Sequence, residues 1–514
     1  MNAINRPTKG GQMMHALRTL LVSGFAYIVN YGITLVLTPY ITKTVGTDAY
    51  GFVTIAKDFS QYATIVTTAL NTYAARYIGL EYHKNNEKQA NIYYSSVFWG
   101  NIALAFFIFV LALIGIIFLD SLLVIPARLI TDVKMLFLFV FISFSVITVF
   151  SVFDCVGYVC NRMDLLGIFK TISYVADALV LVIAYILFPA KIYYVGLGTL
   201  AAALIVGVSD WFISRKYMPN LRVRRKDFSF SAVKRLVVEG FWASFNQVGN
   251  MLNSGLDLLV CNKMLTSLAM GQLAIAKTLH NIMQGIYFIV DQAVIPMFLK
   301  SYAEGNKKKL LGQLKFSTKL SGLLANLVFA GFVALGVSFY ELWIPGQDIQ
   351  LIYRLTIVTI LTVIPNGAIH PLYYIYTLTV KKKLPCLITV TGGVVNVVSM
   401  YFLIKYAHMG VFAVAWTTVF VMSFINFVSN PLYMAHVLQL PWHTFYPDIL
   451  KNVISCGVLS AVFWGLSQLY TPQGWLTLVL CAGVCVLIGT PLHLMVVCNK
   501  QQKSMLKEMI RARI

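Results

Sequence analysis

Lys57 and Lys277 are the residues best placed to do chemistry in this sequence, because each sits inside a long apolar run and they stand 220 positions apart. Each is about eight or nine residues into its run, so at 1.5 Å per helical residue each lies roughly 12 to 14 Å below one face of a membrane. An ammonium at that depth costs about 2.5 kcal/mol or more unless it meets water or a partner. Two ammonium groups facing one shared cavity suit an anion, phosphate above all, since lysine is an effective point charge for phosphate. Two other arrangements use the same residues: snorkelling to the surface, or an ion pair such as Lys57 with Asp177.

Other polar groups in apolar runs extend the candidate set. Arg76 falls at the opposite mouth of the Lys57 run, as a substrate contact or as a topogenic anchor. Asn30 aligns with Asn250 in the 220-residue register, and Asn250, Asn253 and Asp257 fall on roughly one face of a helix. These three asparagines join Lys57, Lys277 and Arg76 as candidate substrate contacts. Asp58, Asp177, Asp257 and Asp291 are candidates for ion coupling, although a structural ion pair is the expected role of each. The eight cysteines form no CxxC pair and no histidine cluster completes a metal site, so neither metal nor cofactor is expected.

The elements that must position these groups are membrane helices. Of the 514 residues 59% are hydrophobic and only 11% charged, too few charges to cover a water-facing surface. Apolar segments long enough to span recur near 17–41, 49–80, 92–119, 135–160, 168–189, 192–214, 236–262, 268–299, 317–344, 352–376, 384–406, 411–437, 449–470 and 475–498. The net charge of +21 would suggest nucleic acid in a soluble protein. Here, with the N-terminus cytoplasmic, thirty Lys and Arg fall on the cytoplasmic side and seven on the other, which supports fourteen spans with both termini inside. Nucleic acid is therefore not an expected partner.

Sliding the chain by 220 positions places Lys43, Ala49, Gly51, Ile55, Ala56 and Lys57 on Lys263, Ala269, Gly271, Ile275, Ala276 and Lys277. An all-α polytopic fold follows, with two six-helix lobes related by a pseudo-twofold along the membrane normal and two extra C-terminal helices. The expected division is 1–214 as the first lobe, 215–235 as a basic cytoplasmic linker, 236–437 as the second lobe, and 438–514 as two further spans with a basic tail. Gly32 and Pro39, Pro296, and the group Pro365, Gly367 and Pro371 mark helices expected to bend or unwind.

The run LVLTPYITKTVGTDAYGFVTIAK, the segment NTYAARYIG and the second-half stretch QAVIPMFLKSY resemble the multidrug/oligosaccharidyl-lipid/polysaccharide exporter superfamily. The resemblance is to its polysaccharide-transporter branch, the Wzx-type flippases of O-antigen and capsule repeat units, and in layout it covers essentially the whole chain. It implies translocation of an undecaprenyl-diphosphate-linked oligosaccharide from the inner to the outer leaflet of a bacterial cytoplasmic membrane. It also implies a cationic inward-facing cavity for the lipid diphosphate, a role that Lys57 and Lys277 match by position, with membrane lipids and polysaccharide polymerase machinery as further partners. The first segment lacks the acidic residue of many drug-exporting relatives. A drug or metabolite antiporter of the same fold is the near alternative, and a membrane glycosyltransferase or polymerase the distant one. The external stretches near 120–134 and 345–351 are too short to hold a catalytic surface, so a non-enzymatic role is expected.

Overall fold

A computed structural model describes residues 9–498, and these are helical with no strand among them. Arg6 and the tail charges from Lys500 to Arg513, which the sequence assigns to the cytoplasm, lie outside the described residues. Contacts divide the chain into two compact units. One runs to Met251 and takes in Cys261–Gly271; the other comprises Leu252–Val260 and everything from Gln272 on.

The first unit is built from α1 (Lys9–Thr44), α2 (Thr47–Asn71), α3 (Ala74–His83), α4 (Glu87–Ile117), α5 (Leu119–Leu122), α6 (Ile130–Phe150), α7 (Cys155–Val159), α8 (Met163–Leu187), α9 (Tyr193–Tyr217) and α10 (Phe230–Asn250). The helices α11 (Asp257–Met264) and α12 (Ser267–Ala303) each contribute residues to both units. The second unit continues with α13 (Lys307–Trp343), α14 (Ile349–Ile360), α15 (Val363–Ile369), α16 (Tyr374–Leu378), α17 (Lys383–Lys405), α18 (Val411–Phe424), α19 (Asn430–Val437), α20 (Tyr446–Leu469) and α21 (Trp475–Val497).

Among the described residues, eleven helices are long and apolar enough to cross a membrane. The three other expected segments are helical too, as α2, α10 with α11, and α12. Their lower hydropathy has a physical reason: they carry Asp48, Lys57 and Asp58, Glu239 and Asp257, and Lys277 and Asp291. The outward faces of the spans are apolar. Leu476 and Leu487 on α21 are each 75% exposed, a surface stable only against acyl chains.

The 220-residue register of the sequence recurs in the helix boundaries. Helices begin at Thr47 and Ser267, at Glu87 and Lys307, and at Met163 and Lys383, while α9 and α19 end at Tyr217 and Val437. The turn before the second of these pairs is repeated down to its cap. Asn85 and Gly305 adopt left-handed φ of 58° and 67°. Asn86 and Asn306 then accept from the backbone N–H of Gln89 (3.3 Å) and Lys309 (2.9 Å).

Close helix approaches rest on glycine. At Gly240 of α10 a Cβ would lie 1.9 Å from the Ala69 carbonyl oxygen of α2, and at Gly271 it would lie 2.1 Å from the Thr47 oxygen. Gly51 and Gly271, partners in the repeat, touch one another, since a Cβ on Gly51 would sit 2.9 Å from the Gly271 Cα. Gly240→Ala must push α10 off α2 and is expected to cost about 1 to 3 kcal/mol, read as a lower thermal midpoint in detergent; an unchanged midpoint would refute the contact.

The proline and glycine expectations divide. The helices α1 and α12 run through Pro39 and Pro296 without a break. Each proline removes one N–H from the ladder of a helix that continues past it to Thr44 or Ala303. The third group does unwind its segment: α14, α15, a 3₁₀ turn His370–Tyr373 and α16 are the pieces of one span. Two further interruptions lie outside the expected breaks, the π turns Met251–Gly255 and Ile425–Ser429.

Between α9 and α10 the basic linker is held against α4. Asn220 Nδ2 donates to Glu87 (2.6 Å), Arg222 N to Asn91 Oδ1 (2.7 Å), and Ser229 N to Ser96 Oγ (2.9 Å). At the opposite ends of the helices, Arg128 Nη2 bonds both carboxylate oxygens of Asp48 at 2.7 Å. Asn262 clamps Val124 through its backbone N–H (2.8 Å) and carbonyl (3.1 Å).

Candidate functional site

One face of α2 is polar for four turns, with Lys57, Ser60, Gln61, Thr64, Thr67, Thr68 and Asn71 at helical spacing. Opposite stand Ser143, Thr148 and Ser151 from α6 and the 3₁₀ turn after it, and Thr199 from α9. Together with Val140, Phe144, Ile147 and Thr72 these residues enclose a cavity of about 500 Å³ within the first unit. Much of the exposed wall is carbon, and the hydroxyl, amide and ammonium groups set into it between membrane helices call for water or polar partners.

Lys57 is exposed to this cavity, and among the described residues its ammonium has no ion pair and no hydrogen bond. Asp177 on α8 lies within its electrostatic field but forms no ion pair with it. One Asp177 carboxylate oxygen is buried without a hydrogen bond, pressed against Gly198 of α9. Asp58, the residue after Lys57, is half-buried.

The sequence assigns Lys277 a role equivalent to that of Lys57, and its surroundings are different. Lys277 Nζ donates to Asp257 Oδ2 at 2.8 Å and to the Ser254 carbonyl at 2.7 Å, with only 13% of its side chain exposed and 5% of that of Asp257. The π turn explains this geometry. It inserts an extra residue between α10 and α11, so the Ser254 carbonyl and the Asp257 carboxylate converge on one ammonium.

The same turn separates the asparagines. Asn253 is buried, donating to the Thr389 carbonyl of α17 at 2.7 Å and accepting at its own carbonyl from Asn396 at 2.7 Å. Asn250 is exposed at the end of α10 and bonds Gln247 at 3.1 Å. Asn30 is half-buried on α1, where its carbonyl accepts from Thr34 at 3.1 Å. None of the three lines the α2 cavity. Arg76 is exposed on α3, one turn beyond the cavity-lining Thr72, with no ion pair or hydrogen bond among the described residues. Asp291 lies 3.0 Å from His370 Nδ1, at the unwound part of the tenth segment, where the His370 ring stacks on Tyr287.

Sequence reasoning singled out charged residues and asparagines and passed over the hydroxyls. The signal was present, since polar residues at 57, 60, 61, 64, 67, 68 and 71 follow the i, i+3, i+4 rule. Threonine is near neutral on hydropathy scales, so a threonine stripe leaves a segment average almost unchanged.

Comparison with known proteins agrees with this architecture. Residues 16–302 match the family described as polysaccharide biosynthesis protein. The uncharacterized membrane protein EpsK of Bacillus subtilis (strain 168) is 24% identical over 486 residues, which covers 95% of this chain and 96% of EpsK. Among solved structures, the lipid II flippase MurJ in an inward closed conformation superposes with a TM-score of 0.68 at 15% identity, covering 94% of this chain and 99% of MurJ. An inward-facing MATE multidrug resistance transporter of the MOP superfamily superposes with a TM-score of 0.62 at 14% identity, over 82% of this chain and 99% of its own. The chain therefore belongs to the polysaccharide biosynthesis protein family, as a multi-pass membrane protein with the helical fold that MurJ and the MATE transporters share.

Proposed function

We propose that this protein is a flippase that moves an undecaprenyl-diphosphate-linked oligosaccharide from the inner to the outer leaflet of a bacterial cytoplasmic membrane, for cell-surface polysaccharide synthesis. The observation that carries the reading is Lys57: an ammonium without a counter-ion contact among the described residues, open to a cavity of about 500 Å³ that hydroxyl and amide side chains line between membrane helices. A buried cation is stable only when paired or solvated, so a solvated one is available to a ligand anion. A diphosphate crossing an apolar layer needs such a charge, and the attached sugars need the polar wall beside it. Arg76, one turn past the cavity at the other end of α2, is the first charge the headgroup meets on entering from the cytoplasm.

The helix boundaries repeated at 220 residues support two lobes moving by alternating access. In this reading the lobes are 1–214 and 236–437, joined by the basic linker 215–235, and 438–514 holds the extra pair of spans. Both termini are cytoplasmic, and polymerase machinery receives the product. A cationic drug is a poor fit to a cavity whose one charged lining residue, among the described residues, is a lysine.

Proteoliposomes containing the purified protein test the proposal. A fluorescent undecaprenyl-diphosphate oligosaccharide placed in both leaflets is expected to become fully accessible to an external quencher or glycosidase, against about half in protein-free vesicles. Accessibility that stays at the protein-free level would overturn the flippase reading.

A further inference from the structure

We propose that the cavity wall running along α2 from Lys57 is a sugar-binding surface made of hydrogen-bond acceptors, which selects neutral, hydroxyl-donating sugars and rejects anionic ones. The inference rests on the flippase reading and adds a substrate class to it.

The argument is a count of protons. A serine or threonine hydroxyl has one proton to donate and two lone pairs to accept with. In membrane helices that proton is commonly given to the carbonyl three or four residues back. Along α2 this is what happens. Ser60 donates to the Lys57 carbonyl (2.8 Å), Thr64 to Gln61 (2.6 Å), Thr67 and Thr68 to Thr64 (3.2 and 2.6 Å), and Thr72 to Thr68 (2.7 Å). The facing wall repeats the pattern, with Ser143 donating to Phe139 (2.7 Å) and Thr199 to Val195 (2.8 Å). Asn71 is committed as well, its amide nitrogen donating to the Thr67 carbonyl (3.0 Å) and to Asn101 (3.1 Å).

Apart from Thr148 on the facing wall, whose hydroxyl proton is uncommitted among the described residues, what the lining hydroxyls still offer a ligand is lone pairs. The lining side chains with uncommitted N–H donors are Lys57 and Gln61, both at one end of the stripe. The cavity is therefore zoned. An anion is served at the end holding Lys57 and Gln61, where N–H donors are, and the roughly 16 Å of helix from there to Thr72 accepts from O–H and N–H groups. Hydroxyls of a neutral sugar, or the N–H of an acetamido group, match that surface. A carboxylate on a sugar would exchange donating water for side-chain lone pairs along this wall, an unpaired-acceptor arrangement that selects against it.

The test uses the full chain in lipid nanodiscs and three probes: undecaprenyl diphosphate alone, the same lipid carrying N-acetylglucosamine, and the same lipid carrying a glucuronate. The wild type is expected to bind the acetamido-sugar lipid about tenfold more tightly than the bare lipid, and to gain nothing from the glucuronate. Thr64→Val with Thr68→Val keeps shape and removes two acceptors, so its affinity for the acetamido-sugar lipid is expected to fall about tenfold while that for the bare lipid holds. Thr171→Val, which removes a back-bonded hydroxyl of α8 away from the cavity, should change none of the three affinities.

Equal or tighter binding of the glucuronate lipid overturns the proposal, as does wild-type sugar preference in the folded double variant. If the bare diphosphate lipid fails to bind while the neutral-sugar preference persists, the diphosphate role of Lys57 is what falls.

Discussion

Lys57→Ala is expected to lower the rate of lipid-linked oligosaccharide translocation at least about a hundredfold while the protein still folds and inserts. A lysine ammonium has three N–H donors, and a hydrogen bond to a charged group is worth about 1.5 to 3 kcal/mol, so losing two of them removes about 3 to 6 kcal/mol of anion binding. Stability should change by less than about 1 kcal/mol, because Lys57 is exposed and has no ion pair to break. Lys57→Arg keeps the charge and should retain measurable transport; Lys57→Glu should retain none. The rate is read by quencher accessibility in proteoliposomes and folding by a monodisperse elution profile. Transport at the wild-type rate in Lys57→Ala would remove the physical basis for placing the diphosphate in this cavity.

Much of the architecture was legible because a membrane imposes it. A span needs about 20 apolar residues whatever it packs against, and each of the fourteen segments expected from hydropathy is helical in the structure, with α13 beginning ten residues before its apolar part. The repeat was legible for a related reason. Turns and caps are local, so an asparagine cap after a left-handed residue, as at Asn86 and Asn306, can persist while packing residues diverge.

The site was less legible because its logic is tertiary. Nothing in the spacing of Asp257 and Lys277 announces an ion pair across 20 residues, and a regular helix through Met251–Gly255 would have aimed Asn250, Asn253 and Asp257 in one direction. The π turn instead leaves Asn250 exposed, sends Asn253 against α17, and gives Asp257 to Lys277. Repeat symmetry carries a residue type to an equivalent place in the chain, but its counter-ion is decided by neighbours that the repeat does not copy. Lys57 has Asp177 only at a distance, whereas Lys277 has its carboxylate at 2.8 Å.

That difference yields a second large effect, opposite in kind. Lys277→Met is expected to destabilise the protein by about 3 to 5 kcal/mol, since it strands the Asp257 carboxylate among groups that are almost entirely buried. The thermal midpoint in detergent should fall well below that of Lys57→Met, which leaves no contact carboxylate behind. Replacing both partners, Lys277→Met with Asp257→Leu, should recover most of the loss, because a buried pair can be exchanged for apolar side chains of similar volume at little cost. The recovered double variant then decides what the second lysine does. Wild-type transport in it makes the Lys277–Asp257 pair a structural brace and leaves Lys57 as the lysine that holds the anion. A stable double variant that fails to transport would instead return Lys277 to the substrate, with Asp257 as the counter-ion it must leave for each cargo.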